Sequence, residues 1–489
     1  MSVWLPVVLP LLVCVATLAL GEQRSRPRVA VNLAGALAAA VAVIALAAGA
    51  FRGVSPAGSV PLFPGVPLTV SADLLGLFFA AVATVLWCVT LVYAFGYMDH
   101  AKDQARFFGF FGLCIGAANG VALADDPVSF FLFYEVLSLA TYPLVVHSGT
   151  PEALAAGRKY LVYALGGGTA LLVGIVWLYT IAGPTPFEPG GALAHVAGHA
   201  AELRAVFALM ALGLGVKAAL MPLHGWLPGA MVAPAPVSSL LHAVAVVKAG
   251  VFGIVRLVNE LYGPDLVTSL GVGRPLALAA AASILTASVI ALRQDDLKRR
   301  LAYSTVAQLS YITLGTALCT PLAAVGALAH LAHHAVMKIA MFFTAGSLAE
   351  TVHVKLVSEL AGVARRMPLT IASFGLAALG LAGIPPLAGF YSKWLLGAGA
   401  AEGGAVWATL VYAASGALAM GYMLPILIAA LRPGALGAPN GPESDVRMLV
   451  PIVLVGIGTL VLGLATGLPG GPVGWALRAV GPSFGVVVP

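Results

Sequence analysis

Residues 322–348 read LAAVGALAHLAHHAVMKIAMFFTAGSL, an apolar run whose only ionisable side chains are His330, His333, His334 and Lys338. The run is longer than the roughly 20 residues that carry a helix across a bilayer. A cation at mid-depth costs about 2.5–3.5 kcal/mol on insertion scales, so a buried lysine faces a polar interior and has a task. His330, His334 and Lys338 are spaced i, i+4, i+8 and fall within an arc of about 80° on one helix face, while His333 points about 60° to the other side. Imidazole takes up and releases protons near neutral pH, which suits such a row to proton transfer. A bis-histidine metal site is the rival reading. No carboxylate or thiolate accompanies the pair, and a lysine on the same face repels a metal ion.

The rest of the chain has the same character. Of 489 residues 60% are hydrophobic and 9% charged, against about 25% charged in an ordinary soluble domain. A water-facing globule is excluded. Apolar runs separated by punctuation number fourteen, from 2–20 through 369–397 to 448–467, and predict an all-α polytopic membrane protein with both termini on one side. The first run has no basic residue before it, unlike a secretory leader, and is read as a retained span. With the N-terminus outside, the inner connections hold sixteen Lys/Arg and the outer ones four, Arg52, Arg204, Arg274 and Arg478. That asymmetry satisfies the positive-inside rule and predicts both termini on the outer face of a bacterial-type inner membrane. The net charge of +6 does not point to nucleic acid, because the positive charge sits in loops beside lipid. Cys14, Cys88, Cys114 and Cys319 are scattered and read as small core residues.

Five basic residues remain inside the runs: Lys217, Lys248, Arg256, Lys338 and Lys393. Arg256 lies near a span end and is expected to snorkel to the surface. Glu135, in SFFLFYEVLSLATYPL, is the acid at mid-span, and Asp73 is a candidate helix cap. Glu135 is expected to pair with Lys217, since an opposite charge favours the charged form of both. His242 and Lys248 are six residues apart, about 240° around a helix, so another helix or water has to bridge them. His224, in a proline-bounded break, is a candidate gate.

Two spans are broken near a lysine, in GLGVKAALMPLHGWLP and LAGIPPLAGFYSKWLL. Proline frees backbone groups that a membrane tolerates only where protein or water receives them. Corresponding broken segments in two halves are the sequence sign of inverted repeats. The expected organisation is helices 1–3 over 1–107, a first five-helix repeat over 108–259, a second over 275–431, and a C-terminal helix and tail over 448–489. No GxGxxG after a strand, Walker loop, CxxCH or thiolate cluster occurs. Neither cofactor nor redox chemistry of its own is expected, and the energy has to come from an ion gradient or from partner subunits.

Six stretches carry a resemblance over roughly residues 70–430: FYEVLSLATYPL (133–144), VKAALMPLHGWLP (216–228), APVSSLLHAVAVVKAGVF (235–252), DDLKRRLAYSTVAQLSY (295–311), HLAHHAVMKIAMFFTAGS (330–347) and GIPPLAGFYSKW (383–394). In this order they resemble the proton-conducting antiporter-like subunits shared by respiratory complex I, membrane-bound hydrogenases and multisubunit Na⁺/H⁺ antiporters. The resemblance implies fourteen helices in two inverted five-helix repeats, with a hydrated polar axis at the midplane. It implies that Glu135, Lys217, His242, Lys248, His330, His334, Lys338 and Lys393 move protons, within a complex of membrane subunits that handles H⁺ and, in the antiporters, Na⁺. Gly229 stands where many members have an aspartate, and too few residues follow position 467 for the long lateral helix of the largest members. The alternative from a different class is a non-transporting membrane anchor for a peripheral redox or carboxylating module.

Overall fold

A computed structural model describes residues 1–434 and 441–486, so the loop read at 436–446 lies partly outside the described residues. Helices α1 (Leu5–Leu20) and α2 (Ser25–Ala50) lead into an antiparallel hairpin, β1 (Ala57–Phe63) and β2 (Val66–Ser71). Helices α3 (Leu74–Tyr97), α4 (Gln104–Leu123), α5 (Pro127–Val145), α6 (Pro151–Ala182) and α7 (Ala200–Lys217) follow. Helix α8 covers Ala235–Tyr262, with π-helical turns at Leu240–Val244 and Leu257–Tyr262. Then come α9 (Gly273–Leu292), α10 (Leu297–Ala317) and α11 (Pro321–Thr351). The run read as 369–397 is two helices, α12 (Pro368–Ala382) and α13 (Ala388–Glu402), parted by the GIPPL turn. Helices α14 (Val406–Leu431), α15 (Val446–Leu464) and the short α16 (Pro472–Val480) complete the chain.

Among the described residues, ten helices are long and apolar enough to cross a membrane: α2 to α6, α8, α9, α11, α14 and α15. The expectation of fourteen crossings adds α1, α7, α10 and the α12–α13 pair, which are shorter, broken or more polar. Polar caps set many of the boundaries. Asp126 ahead of Pro127 accepts from Val128 N (2.8 Å) and Ser129 N (2.9 Å). Asp73 and Asp296 do the same for α3 and α10, meeting the orphan N–H groups of a helix start. Asp73 is therefore the cap that the sequence suggests.

Burial sorts the helices into layers. The apolar window of α8 is wholly buried and that of α11 nearly so, whereas about a third of α2, α6, α14 and α15 is covered. Helices apolar all round on the outside are a lipid-facing shell. The two central helices, α8 and α11, carry His242 and Lys248, and His330, His333, His334 and Lys338, respectively.

The hairpin is not signalled by hydropathy, since a 15-residue excursion with two prolines in its strands does not alternate cleanly enough to be read as strands. Arg256 also departs from its expectation. It is 1% exposed and does not snorkel: Nη2 donates to Asp73 Oδ2 (2.8 Å) and Ala122 O (2.8 Å), and Nη1 donates to Glu260. Its guanidinium also lies over the Phe187 and Phe252 rings. Two carboxylates, one a helical turn farther along α8 and one from the start of α3, neutralise it in place. Glu260 is accordingly a buried acid that the sequence reading did not single out. Removing one member of a buried ion group costs about 3–5 kcal/mol because the remaining charges stay buried. Arg256→Ala is therefore expected to lower the thermal unfolding midpoint in detergent by several degrees, and an unchanged midpoint would show that the triad does not tie α3 to α8.

Candidate functional site

Three of the lysines inside the bundle, Lys217, Lys338 and Lys393, share one solution to burial. Lys217, the last residue of α7, donates to Tyr134 O (2.7 Å) and Ser138 Oγ (2.9 Å) on α5, with Nζ 3.2 Å from the centre of the Tyr134 ring. Lys338 on α11 donates to Leu301 O (3.0 Å) and to Ser304 on α10. Lys393 on α13 donates to Leu381 O (2.5 Å) at the end of α12 and lies 5.1 Å from the Tyr311 ring centre. Each ammonium thus meets a carbonyl and either a hydroxyl or an aromatic face, and none meets a carboxylate within 4.0 Å among the described residues. For Lys393 the acceptor is a free carbonyl at a helix C-terminus, the end whose dipole favours a cation.

The central groups form a row that is hydrogen-bonded at each end and joined in the middle by ring stacking, with His334 Nε2 unpaired. Lys248 Nζ is 2.5 Å from His334 Nδ1, and the His334 and His330 rings stack at 5.9 Å. His330 then meets Ser392 Oγ through Nδ1 (2.9 Å) and Gln308 Oε1 through Nε2 (3.1 Å). Ser392 adjoins Lys393, and Tyr311 stacks on His330 at 5.6 Å. The row joins α8, α11 and α13 in one sequence of polar contacts from Lys248 to the neighbourhood of Lys393. It exists because His330 and His334 share a face of an unbroken helix while GIPPL turns α13 toward that face.

Other expected members stand apart. His242 is wholly buried, packs against Phe342 (4.5 Å between ring centres) and leaves both ring nitrogens without a partner. It makes no hydrogen bond to Lys248, whose ammonium meets His334 instead. His333, on the other side of α11, likewise leaves both nitrogens unpaired. His224 lies half-buried in the break, 6.0 Å from the Tyr303 ring. Unpaired buried polar atoms are rare in folded proteins and mark places where water completes the bonding. A cavity of about 10 Å³ lined by Tyr134, Tyr160, Trp226 and Lys217 is about large enough for one such water.

The expected Glu135–Lys217 ion pair is not formed. The half-buried Glu135 turns to α6, where Oε1 is buried without a hydrogen-bond partner. There it occupies the space that Gly168 leaves: a Cβ built on Gly168 would lie 2.4 Å from Oε1. The GGGT cluster thus does two things. Gly167 lets Val216 of α7 pack close, and Gly168 makes room for a carboxylate. The residues that sequence reasoning missed are Ser138, Ser304, Gln308, Tyr311 and Ser392. Their one signal is spacing, since Ser304 and Gln308 are i, i+4 on α10, and Ser392 precedes Lys393.

An oily bundle enclosing an interior row of ionisable groups defines a multi-pass integral membrane protein with a polar axis. The chain belongs to the NADH:quinone oxidoreductase/Mrp antiporter transmembrane family, whose model matches residues 124–419. It is 36% identical over 393 residues to the N-type subunit of NADH-quinone oxidoreductase from Desulforudis audaxviator, covering 76% of this chain and 77% of that one. It is 28% identical over 400 residues to the D-type subunit of the Na⁺/H⁺ antiporter from Alkalihalophilus pseudofirmus, covering 81% and 80%. In fold it is similar to a chain of the Mrp complex from a Dietzia species, with a TM-score of 0.87 at 24% identity over 99% and 98% of the two chains.

Inserting a methyl group against the Glu135 carboxylate should cost about 1–3 kcal/mol, the usual range for overpacking. Gly168→Ala and Glu135→Ala should therefore be non-additive in unfolding experiments, by about 1 kcal/mol. Gly166→Ala, where no atom lies within 4 Å, should be additive with Glu135→Ala. Additivity at both positions would mean that Glu135 does not occupy the Gly168 niche.

Proposed function

We propose that this chain is a proton-translocating membrane subunit of a multisubunit complex of the complex I or Mrp antiporter kind, and that protons move along Glu135, Lys217, Lys248, His334, His330 and Lys393. Lys338 and His242 flank the row, and His224 serves the break after α7. The observation that carries this reading is the row of contacts from Lys248 through His334 and His330 to Ser392 beside Lys393. Such a row serves transfer because imidazole both accepts and donates at its two nitrogens. It sits in the two most buried helices, where charge is least tolerated and a titratable group is hardest to explain otherwise. The relatives support the same reading, since the oxidoreductase and antiporter chains are each named as parts of larger assemblies.

The fourteen crossings, the repeats over 108–259 and 275–431 and the outward-facing termini belong to this proposal. Each repeat has its broken helix in fourth place and a lysine at the break. The sixteen-to-four distribution of Lys/Arg between the two ends supports the orientation.

In the proposed cycle Glu135 moves between the Gly168 niche and Lys217. Its approach favours the charged ammonium, and its withdrawal leaves Lys217 with dipolar acceptors alone and drives the proton toward Lys248. Making or losing one buried ion contact is worth about 3–5 kcal/mol, more than the about 2.3 kcal/mol needed to carry one charge against 100 mV. A single carboxylate displacement is therefore large enough to drive one proton step.

Glu135→Gln and Lys217→Ala are each expected to abolish proton-coupled activity in membrane vesicles while the subunit still assembles with its partners. Full activity in both variants would refute the relay. Lost assembly with no specific transport defect would favour the anchor role.

A further inference from the structure

A proton has to reach the interior row from water. At the Lys/Arg-rich end of the bundle lies a cavity of about 1330 Å³, bounded by the 96–103 connection, the 231–234 stretch, the start of α10 and the end of α11. Tyr97, Asp99, His147, Lys298, Gly346 and Glu350 are among its lining. The four-residue ridge of α11 that carries His330, His334 and Lys338 continues as Phe342, Gly346 and Glu350, so one helix runs from the row into the cavity. Phe342 is the residue against which His242 packs with both ring nitrogens unpaired. Glu350 stands eight residues farther on, about 12 Å of helix rise.

Between these two levels the cavity floor is closed. A Cβ on Gly346 would lie 2.3 Å from Ala235 Cβ and 2.3 Å from Tyr93 Oη, so the start of α8 and the Tyr93 phenol both sit against the bare backbone. Tyr93 is held there by its hydroxyl, which donates to Phe343 O (2.9 Å). Lys298 donates to Ala233 O (2.7 Å) and Met231 O (3.2 Å), holding the stretch that leads into Ala235. The π-helical turn Leu240–Val244 follows Ala235 after one α-helical turn, and π turns in helices recur at functional sites.

We propose that this cavity is the mouth that collects protons for the relay, with Glu350 as its inner carboxylate and the Gly346–Ala235–Tyr93 contact as a floor that α8 must move to open. The inference rests on the relay reading. Glu350 is the one carboxylate on the α11 ridge that bears the row, and it is exposed to the cavity. Its negative charge at the floor raises the local concentration of cations, protons included. His242, unpaired and packed on Phe342 one turn of α11 inward from Gly346, is the first acceptor on the inner side. Gly346 is required because any side chain there would hold α8 away and leave the floor open.

The test uses the assembled complex in membrane vesicles, with the four native cysteines replaced. Ala349→Cys, on the cavity wall, is expected to react with a membrane-impermeant maleimide only from the side that carries the Lys/Arg-rich connections. Ser239→Cys, on α8 beyond the floor, is expected to stay protected at rest. Glu350→Gln should slow proton uptake about tenfold, equivalent to about 1.4 kcal/mol, and Glu350→Asp should restore most of it. No labelling of Ala349→Cys from that side, labelling of resting Ser239→Cys, or wild-type uptake by Glu350→Gln would each overturn the mouth. The labelling requires no transport, so it separates the two ideas: active Lys217→Ala alongside the expected labelling removes the relay alone, and inactive Lys217→Ala with unlabelled Ala349→Cys removes the mouth alone.

Discussion

A lysine ammonium inside hydrocarbon must find acceptors that do not cancel it, and the arrangement of this protein follows from that requirement. Lys217, Lys338 and Lys393 each reach a main-chain carbonyl of a neighbouring helix. Carbonyls, hydroxyls and aromatic faces stabilise a cation by dipole and quadrupole rather than by full charge. A permanently neutralised lysine would hold its proton, and Arg256 shows the contrast, since it is clamped between Asp73 and Glu260 and serves to join helices. Arg256 is thus a cation tied down by carboxylates, whereas these three lysines are held by weaker dipoles, the weaker holding that the proposed proton exchange demands.

One broken helix follows from the same demand. A cation is accepted either at a helix end, where a carbonyl lacks its helical partner, or at a carbonyl inside an intact helix, whose second lone pair can take a further donor. Lys393 uses the end of α12 that the GIPPL turn exposes. Lys217 and Lys338 use the second kind, at Tyr134 beside Ser138 and at Leu301 beside Ser304, where the hydroxyl also bonds the same carbonyl or its turn. The correspondence between these two lysines extends to the acceptor set.

The ionisable groups that matter are legible in the sequence because they are conspicuous against an oily background, and every one of them lies in or beside the two central helices or a break. The path between them is not. Lys248 meets His334 across 86 positions of sequence and His330 meets Ser392 across 62, and contacts between helices leave no periodic trace in either. Serine and glutamine are too common for Ser304, Gln308 or Ser392 to stand out before a neighbouring helix is in place. Arg256 misleads for a related reason: Asp73 precedes it by 183 positions, so its neutralising partner is invisible while its nearness to a span end is plain. Glu135 shows the limit from the other side, because a carboxylate and a lysine in sequence suggest attraction, yet a missing side chain at Gly168 offers the acid another place.

Helix α11 is continuous over 31 residues, Pro321 to Thr351, although α8, which brings Lys248 to His334, contains π turns and α13, which brings Ser392 to His330, is parted from α12. Each residue added to or removed from a helix turns everything beyond it by about 100° and slides it by about 1.5 Å. A single insertion between His330 and Glu350 would therefore swing one end of the ladder away from its partners on the neighbouring helices while the other stayed put. The count of residues along this helix is therefore as constrained as the side chains it carries, and its length works as a ruler that keeps interior and rim in step.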